Sequence, residues 1–302
     1  MITSKSSSVS VGLVDSYALN LYIFLFNERL IMKKNLFELI FVIILSIIIS
    51  NQLLAQTFLF QDIPKENTQL GLRFMQPSFE GDSELSTLSG IYDLTFNIPI
   101  NANWNIAGSL PYITSTFGEN DPENGMGNIY IGMQSILKND GQKKSIASFG
   151  LFLPTADEDI QLFGLFTHLI EFHKYTADVL TIYGNFAFFN TFPHGVRLGL
   201  EIGPNLMLST KDDRDTEFLL HYGLTAGYQS TNFALITEMV GILIITEDEN
   251  EFSDRFQYSL NFGGSYVSER ISPGIFYKIY LKDDFSDIVD GVLGINIEVT
   301  IN

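Results

Sequence analysis

Apolar and polar residues alternating at period two, connections that are short and long by turns, and an apolar stretch near the start predict an all-β chain. The expected architecture is a transmembrane up-and-down antiparallel β-barrel of about 12 strands, preceded by a signal peptide. The clearest stretch runs from Glu217 to Thr246. In its first arm Phe218, Leu220, Tyr222, Leu224, Ala226 and Tyr228 alternate with Glu217, His221, Thr225 and Gln229, giving one apolar and one mostly polar face. Thr231 and Asn232 turn the chain, and Phe233 to Thr246 form a second apolar arm. Whether such a face meets a protein core or lipid is decided by the rest of the chain.

The chain has 302 residues, with 17 Lys and Arg against 35 Asp and Glu. Residues 1–55 hold four basic and three acidic side chains, so the excess of acid lies in the remainder. Nucleic acid is therefore not an expected partner, because phosphate binding rests on Lys and Arg. The absence of cysteine excludes disulfides and thiolate metal sites.

Met32 is followed by Lys33, Lys34 and Asn35, by the run LFELIFVIILSIII with Glu38 interrupting it, and by Ser50 to Ala55, where Leu53 stands in place of a small residue. These are the parts of a secretory signal peptide over 32–55, cut after Ala55. The unbroken run from Leu39 to Ile49 is shorter than the roughly 20 residues of a spanning helix, which argues against an anchor. Residues 1–31 precede this better start and read as a non-native upstream extension, which leaves 56–302 for the barrel.

Strands are expected near 69–79, 86–100, 104–117, 126–138, 144–154, 177–191, 196–209, 216–230, 233–247, 255–268, 272–282 and 290–301. Short connections at 101–103, 139–143, 193–195, 231–232 and 269–271 alternate with longer acidic ones at 118–125, 156–176, 210–215, 248–254 and 283–290. Bacterial outer-membrane barrels have short periplasmic turns and long outer loops, so the acidic loops are expected outside. The faces agree with such a wall. Val196, Leu198, Leu200 and Ile202 stand against Arg197, Gly199 and Glu201, and Ile295, Ile297, Val299 and Ile301 against Asn296, Glu298 and Thr300. Trp104, Tyr112 and Tyr228 fall near strand ends, where interfacial aromatics belong.

Two stretches fit less simply. Residues 233–247 are apolar on both faces except at Glu238, and 159–172 suit a strand, a helix or a loop. A thirteenth strand would break the even count, so 159–172 is read as part of a large outer loop, an apolar lid folded over or into the mouth.

Asn103 and Trp104, Leu110 to Tyr112, Gly125 to Asn128 and Leu153 to Ala156 together resemble the motifs of the outer-membrane transporter family associated with the meta pathway of phenol degradation. Asn128 stands where that family has Asp, and Ala156 where it has Gly. The resemblance implies an outer-membrane barrel of a Gram-negative bacterium that helps small, often hydrophobic or aromatic molecules cross passively. Its motifs build the barrel and do not name a cargo.

Signals of catalysis are weak, and no cofactor motif or metal set is found. None of His168, His173, His194 and His221 has a Ser two residues on, as in the outer-membrane phospholipase. The separation of His168 and His173, with Glu171 between them, fits no metal-binding helix face, and a solvated loop is the reading. The acidic loops read as solvated too. On the inward faces lie Arg73, Asp93, Arg197, Glu201, Glu217, His221, Glu238, Arg255, Lys278 and Glu298. They suit a constriction that selects solutes by charge and shape, or equally a salt-bridged plug, since buried charges need partners. Expected partners are outer-membrane lipid around the barrel, small-molecule solutes within it and the outer-membrane assembly machinery. The alternative to passage is a structural or surface-interaction barrel with a plugged lumen.

Overall fold

A computed structural model describes residues 67–79, 85, 88–116, 122–211, 215–246 and 255–301. The expected signal peptide at 32–55, the extension before it and much of the acidic loops at 118–125, 210–215 and 248–254 lie outside these residues.

Among the described residues thirteen strands form one sheet: β1 Thr68–Phe79, β2 Gly90–Pro99, β3 Trp104–Ser115, β4 Glu123–Met126, β5 Tyr130–Asn139, β6 Lys143–Phe152, β7 Val179–Thr191, β8 Val196–Ser209, β9 Glu217–Gln229, β10 Phe233–Ile244, β11 Phe256–Tyr266, β12 Ile271–Tyr280 and β13 Val289–Ile301. β1 pairs with both β2 and β13, and β2 pairs with β3, so the sheet has no free edge at its seam. β4 pairs only with the outer part of β3, beside β5, which leaves a closed antiparallel barrel of twelve strands. Closure gives every backbone group a neighbouring strand, the condition for crossing lipid. The expected strand at 126–138 is thus divided between the end of β4 and β5, because Gly127, Asn128 and Ile129 leave the ladder to hold another segment.

The short connections all lie at one end and carry their own turn chemistry. Asn101 Oδ1 accepts from the backbone N–H groups of Asn103 and Trp104 at 2.9 and 3.1 Å. Asp140 Oδ1 does the same for Gln142 and Lys143 at 3.2 and 2.7 Å. The Lys143 N–H and the nearby Lys138 ammonium hold the Asp140 carboxyl below its ordinary pKa. Ser230 and Ser268 hydroxyls accept from the N–H groups of Phe233 and Ile271. Between β7 and β8, His194 and Gly195 take φ values of 69° and 86°, which tighten the reversal.

Alternation separates two environments. Leu94, Leu198, Leu200, Ile202, Phe262 and Ile295 are exposed on the outside, whereas Asn97, Glu201, Asn261 and Glu298 are buried on the inside. Trp104, Phe192, Tyr228 and Phe233 are exposed near the short-turn end, as interfacial aromatics should be. Glu238 is inward and buried at 1% exposure, with Leu235 exposed on the other face, which fixes the register of β10.

The interior is divided along its length. Towards the long connections it is apolar: Met75, Ile91, Ile113, Val240, Ile242, Phe276 and Val292 form one buried cluster. Towards the short turns buried polar side chains predominate, with Ile146, Ala187 and Phe189 as a small apolar cluster among them. Asn105 Nδ2 donates to Asn97 Oδ1 at 2.6 Å, Asn97 Nδ2 to Gln134 Oε1 at 2.8 Å, and Gln69 Nε2 to Glu298 Oε1 at 2.7 Å.

Candidate channel lumen and its inserted segment

The apolar half of the interior is filled by the connection between β6 and β7. Pro154 follows β6, where its missing N–H cannot extend the ladder. A helix, Gln161–Thr167, and a 3₁₀ turn, Leu169–Lys174, come next. Phe163, Leu169, Ile170 and Tyr175 join the cluster contributed by the wall. Gly164 is required within the helix, since a Cβ there would stand 2.5 Å from Cβ and Cγ of Tyr175. The segment expected as an apolar lid therefore folds into the mouth. Its histidines are not in a solvated loop: His168 and His173 are both at 0% exposure. Phe163, Gly164 and Thr167 face the wall and the 3₁₀ turn, while Leu162 on the other side of the helix is exposed at the mouth.

Asn128 ties the segment at both ends. Its Oδ1 accepts from the N–H groups of Thr155 and Ala156, each at 2.9 Å. Its Nδ2 donates to the carbonyls of His173 and Thr176, each at 2.8 Å, and its backbone N–H donates to the Lys174 carbonyl at 2.6 Å. From the opposite wall, Tyr280 Oη donates to the Thr167 carbonyl at 2.9 Å and accepts from the Leu169 N–H at 3.1 Å. Lys278 Nζ lies 3.5 Å from the same Thr167 carbonyl.

A buried charge cluster joins segment to wall. Lys174 Nζ lies 3.0 Å from Glu171 Oε2 and 3.6 Å from Asp93 Oδ2 on β2, and His168 Nε2 lies 2.9 Å from Glu171 Oε2. Burial favours a neutral Glu171, but Lys174, aided by His168, overrides it and holds the carboxyl well below its ordinary pKa. Burial likewise opposes charge on Lys174, and Glu171 and Asp93 override it, so the ammonium is retained. The histidines go the other way: burial, with Lys278 adding to it, depresses His168 to about 3. Burial depresses His173 to about 4. Both rings are neutral in the seat.

Of the charged residues expected inside, Asp93, Arg197, Glu201, His221, Glu238, Lys278 and Glu298 are buried on the inner face, and Arg73 is half-buried there. Arg73 and Asp93 are register partners on β1 and β2. The Arg197 guanidinium lies 4.4 Å from the Phe189 ring centroid. Asn185 bridges His221, at 3.0 Å from Nε2, and Glu201, at 3.4 Å, while His221 stacks on Tyr183 at 5.1 Å and 3°. Thr225 Oγ1 lies 3.5 Å from Glu238 Oε1. Glu217 and Arg255 stand apart, half-buried at the long-connection ends of β9 and β11, where Glu217 accepts from the Thr246 hydroxyl. Glu171, Lys174, Asn128 and Tyr280, which hold the segment in place, are not distinguishable in the sequence by charge or spacing; only the Asn at 128 stood out as a departure from a motif.

Beneath the segment lies a cavity of about 60 Å³ lined by Arg73, Asp93, Ser109, Tyr130, Gln134 and Lys174 among others. Space of this size and polarity suits a few waters. The interior is thus a polar lower chamber under an apolar, charge-latched stopper.

No protein-family model matches the chain, and no curated protein does. Among solved structures it is similar to the COG4313 outer membrane channel from Pseudomonas putida F1, with a TM-score of 0.59 at 9% identity over 82% of this chain and 100% of that one. The chain has the fold of an outer-membrane β-barrel. A NanC porin structure aligns with a TM-score of 0.49 at 10% identity, over 77% of this chain and 99% of that one.

Proposed function

We propose that this barrel is a channel in the outer membrane of a Gram-negative bacterium, reached through a cleaved signal peptide, and that residues 153–178 hold it closed. The observation that carries the reading is the division of the interior. A wall built only to be filled has no use for the buried polar residues Asn97, Gln134, Glu201, Glu238, Asn261 and Glu298 below the stopper, whereas a solute path does. The cargo we infer is small and passively moved. Hydrophobic or aromatic molecules suit the mouth, where Leu162 is exposed and Phe79, Phe166 and Phe285 meet edge-on at 6.1 and 6.2 Å. Membership of the meta-pathway family, which the motifs around Trp104 and Asn128 support, points the same way.

The second reading, a barrel that transports nothing and whose inserted segment is a permanent filling, is favoured by one observation: Glu171 and Lys174 are buried with partners on both sides. Deletion of residues 156–176 separates the two. The channel reading expects ion conductance in planar bilayers, and liposome swelling with small solutes, from the deletion variant. A folded deletion variant without conductance overturns it.

A further inference from the structure

We propose that the inserted segment is an acid-released gate: His168 and His173 are seated without charge and take up protons when the segment leaves the lumen, so acidification opens the channel. The proposal rests on the channel reading above and adds its regulation.

The geometry makes the seat hostile to imidazolium. Both rings have 0% exposure. His173 packs edge-on against Phe152 at 4.6 Å and lies 6.5 Å from Tyr183, and neither of its ring nitrogens has a hydrogen-bond partner among the described residues. An imidazolium there would lack both water and acceptors for its two N–H groups, a larger cost than a neutral ring meets. The titratable groups facing it are Glu171 and Lys174 from its own turn, Tyr183 from β7 and His221 from β9. His168 faces Glu171 and Lys174 on its own segment, Lys278 on β12, and the Tyr175 ring at 6.3 Å, with Tyr280 bonded to the carbonyl of the residue before it. Its one nearby carboxylate, Glu171, is already shared with Lys174 at 3.0 Å. A charge at His168 would therefore meet the Lys174 ammonium and sit beside the Lys278 amine.

The sign follows from the depressed values of about 3 and about 4. A released histidine titrates near ~6.5. The seated form is fully favoured above that value and loses its advantage as pH falls towards the seated values. Between pH 7.5 and 5 each histidine shifts the open-to-closed ratio by roughly 30-fold, and the two together by roughly 10³-fold. Glu171 is ionised in both states over this range and adds release only at lower pH.

Because the chain has no cysteine, Leu162→Cys carries a spin label at an exposed site on the helix. Label mobility in lipid vesicles reports the gate without depending on conduction. The full chain should pass from an immobile to a mobile spectrum as pH falls from 7.5 to 5, and single-channel opening should rise over the same range. His168→Gln with His173→Phe should remain immobile and closed at pH 5, since both replacements are neutral and fit the seat. An acid response retained in that double variant, or no response in the full chain, overturns the gate. If instead the 156–176 deletion fails to conduct while the label still responds, the channel reading falls and the gate stands as an acid-released plug.

Discussion

Asn128 donates through Nδ2 to the carbonyl of Thr176 at 2.8 Å. The same amide holds His173 O, Thr155 N and Ala156 N, so one side chain satisfies acceptors at one end of the inserted segment and donors at the other. A carboxylate of the same shape accepts but does not donate. Asn128→Asp should therefore unseat the segment by about 3 kcal/mol, from two lost bonds and two carbonyls left facing negative charge. The check is open probability in planar bilayers at neutral pH, which should rise. Wild-type closure in Asn128→Asp would mean that the four contacts contribute little.

Lys174 joins the segment to the wall through Asp93 at 3.6 Å. Lys174→Met removes the ammonium that Asp93 and Glu171 share in a buried site and should cost the seated state about 3–5 kcal/mol. Asp93→Asn alone should cost less, because Glu171 still partners Lys174 at 3.0 Å. Combining Asp93→Asn with Lys174→Met should recover part of the loss, with a coupling of about 0.5–3 kcal/mol measured as opening free energy. Strict additivity would show that the two groups do not interact.

What could be read beforehand follows from what a sequence encodes locally. Lipid and water on opposite faces impose period two, so Leu198, Leu200 and Ile202 against Arg197 and Glu201 already specified a wall, and the short turns at Asn101 and Asp140 carried their own chemistry. Residues 159–172 are less legible, because apolar side chains there serve both the buried cluster, through Phe163 and Ile170, and the exposed mouth, through Leu162. His168, Glu171 and His173 read as a solvated loop because the partners of Glu171 and of the neighbouring Lys174, each other and Asp93, become apparent only after the segment enters the barrel. The adjacency of Arg73 and Asp93 depends on the register between β1 and β2, which neither strand states alone.

The apolar exterior makes a prediction of its own. Ile202 is exposed near the middle of β8, and Val196 begins the strand at the short-turn end. Ile202→Arg should destabilise the barrel in bilayers by about 2–4 kcal/mol and Val196→Arg by about 0–1 kcal/mol. Denaturant titration of folding into vesicles measures both. Equal costs would mean that depth, and hence the proposed lipid contact, does not govern this face.

The last prediction concerns the wall beneath the stopper. Gly132 and Gly150 are register partners on β5 and β6, and the Tyr130 ring lies over both. A Cβ on Gly150 would stand 2.7 Å from Tyr130 Cζ, so the ring must leave before any side chain fits. That ring also packs at 4.7 Å on Phe152 and 5.8 Å on Tyr183, the residues that enclose His173. Gly150→Val should therefore cost about 1–3 kcal/mol by overpacking, read as a lower temperature for loss of the compact band on unheated gels. Tyr130→Ala should create a hole and cost stability on its own. Together the two changes should cost less than their sum, because the valine then occupies space the ring has vacated. A sum without recovery would place the strain in the β5–β6 backbone and not in the ring.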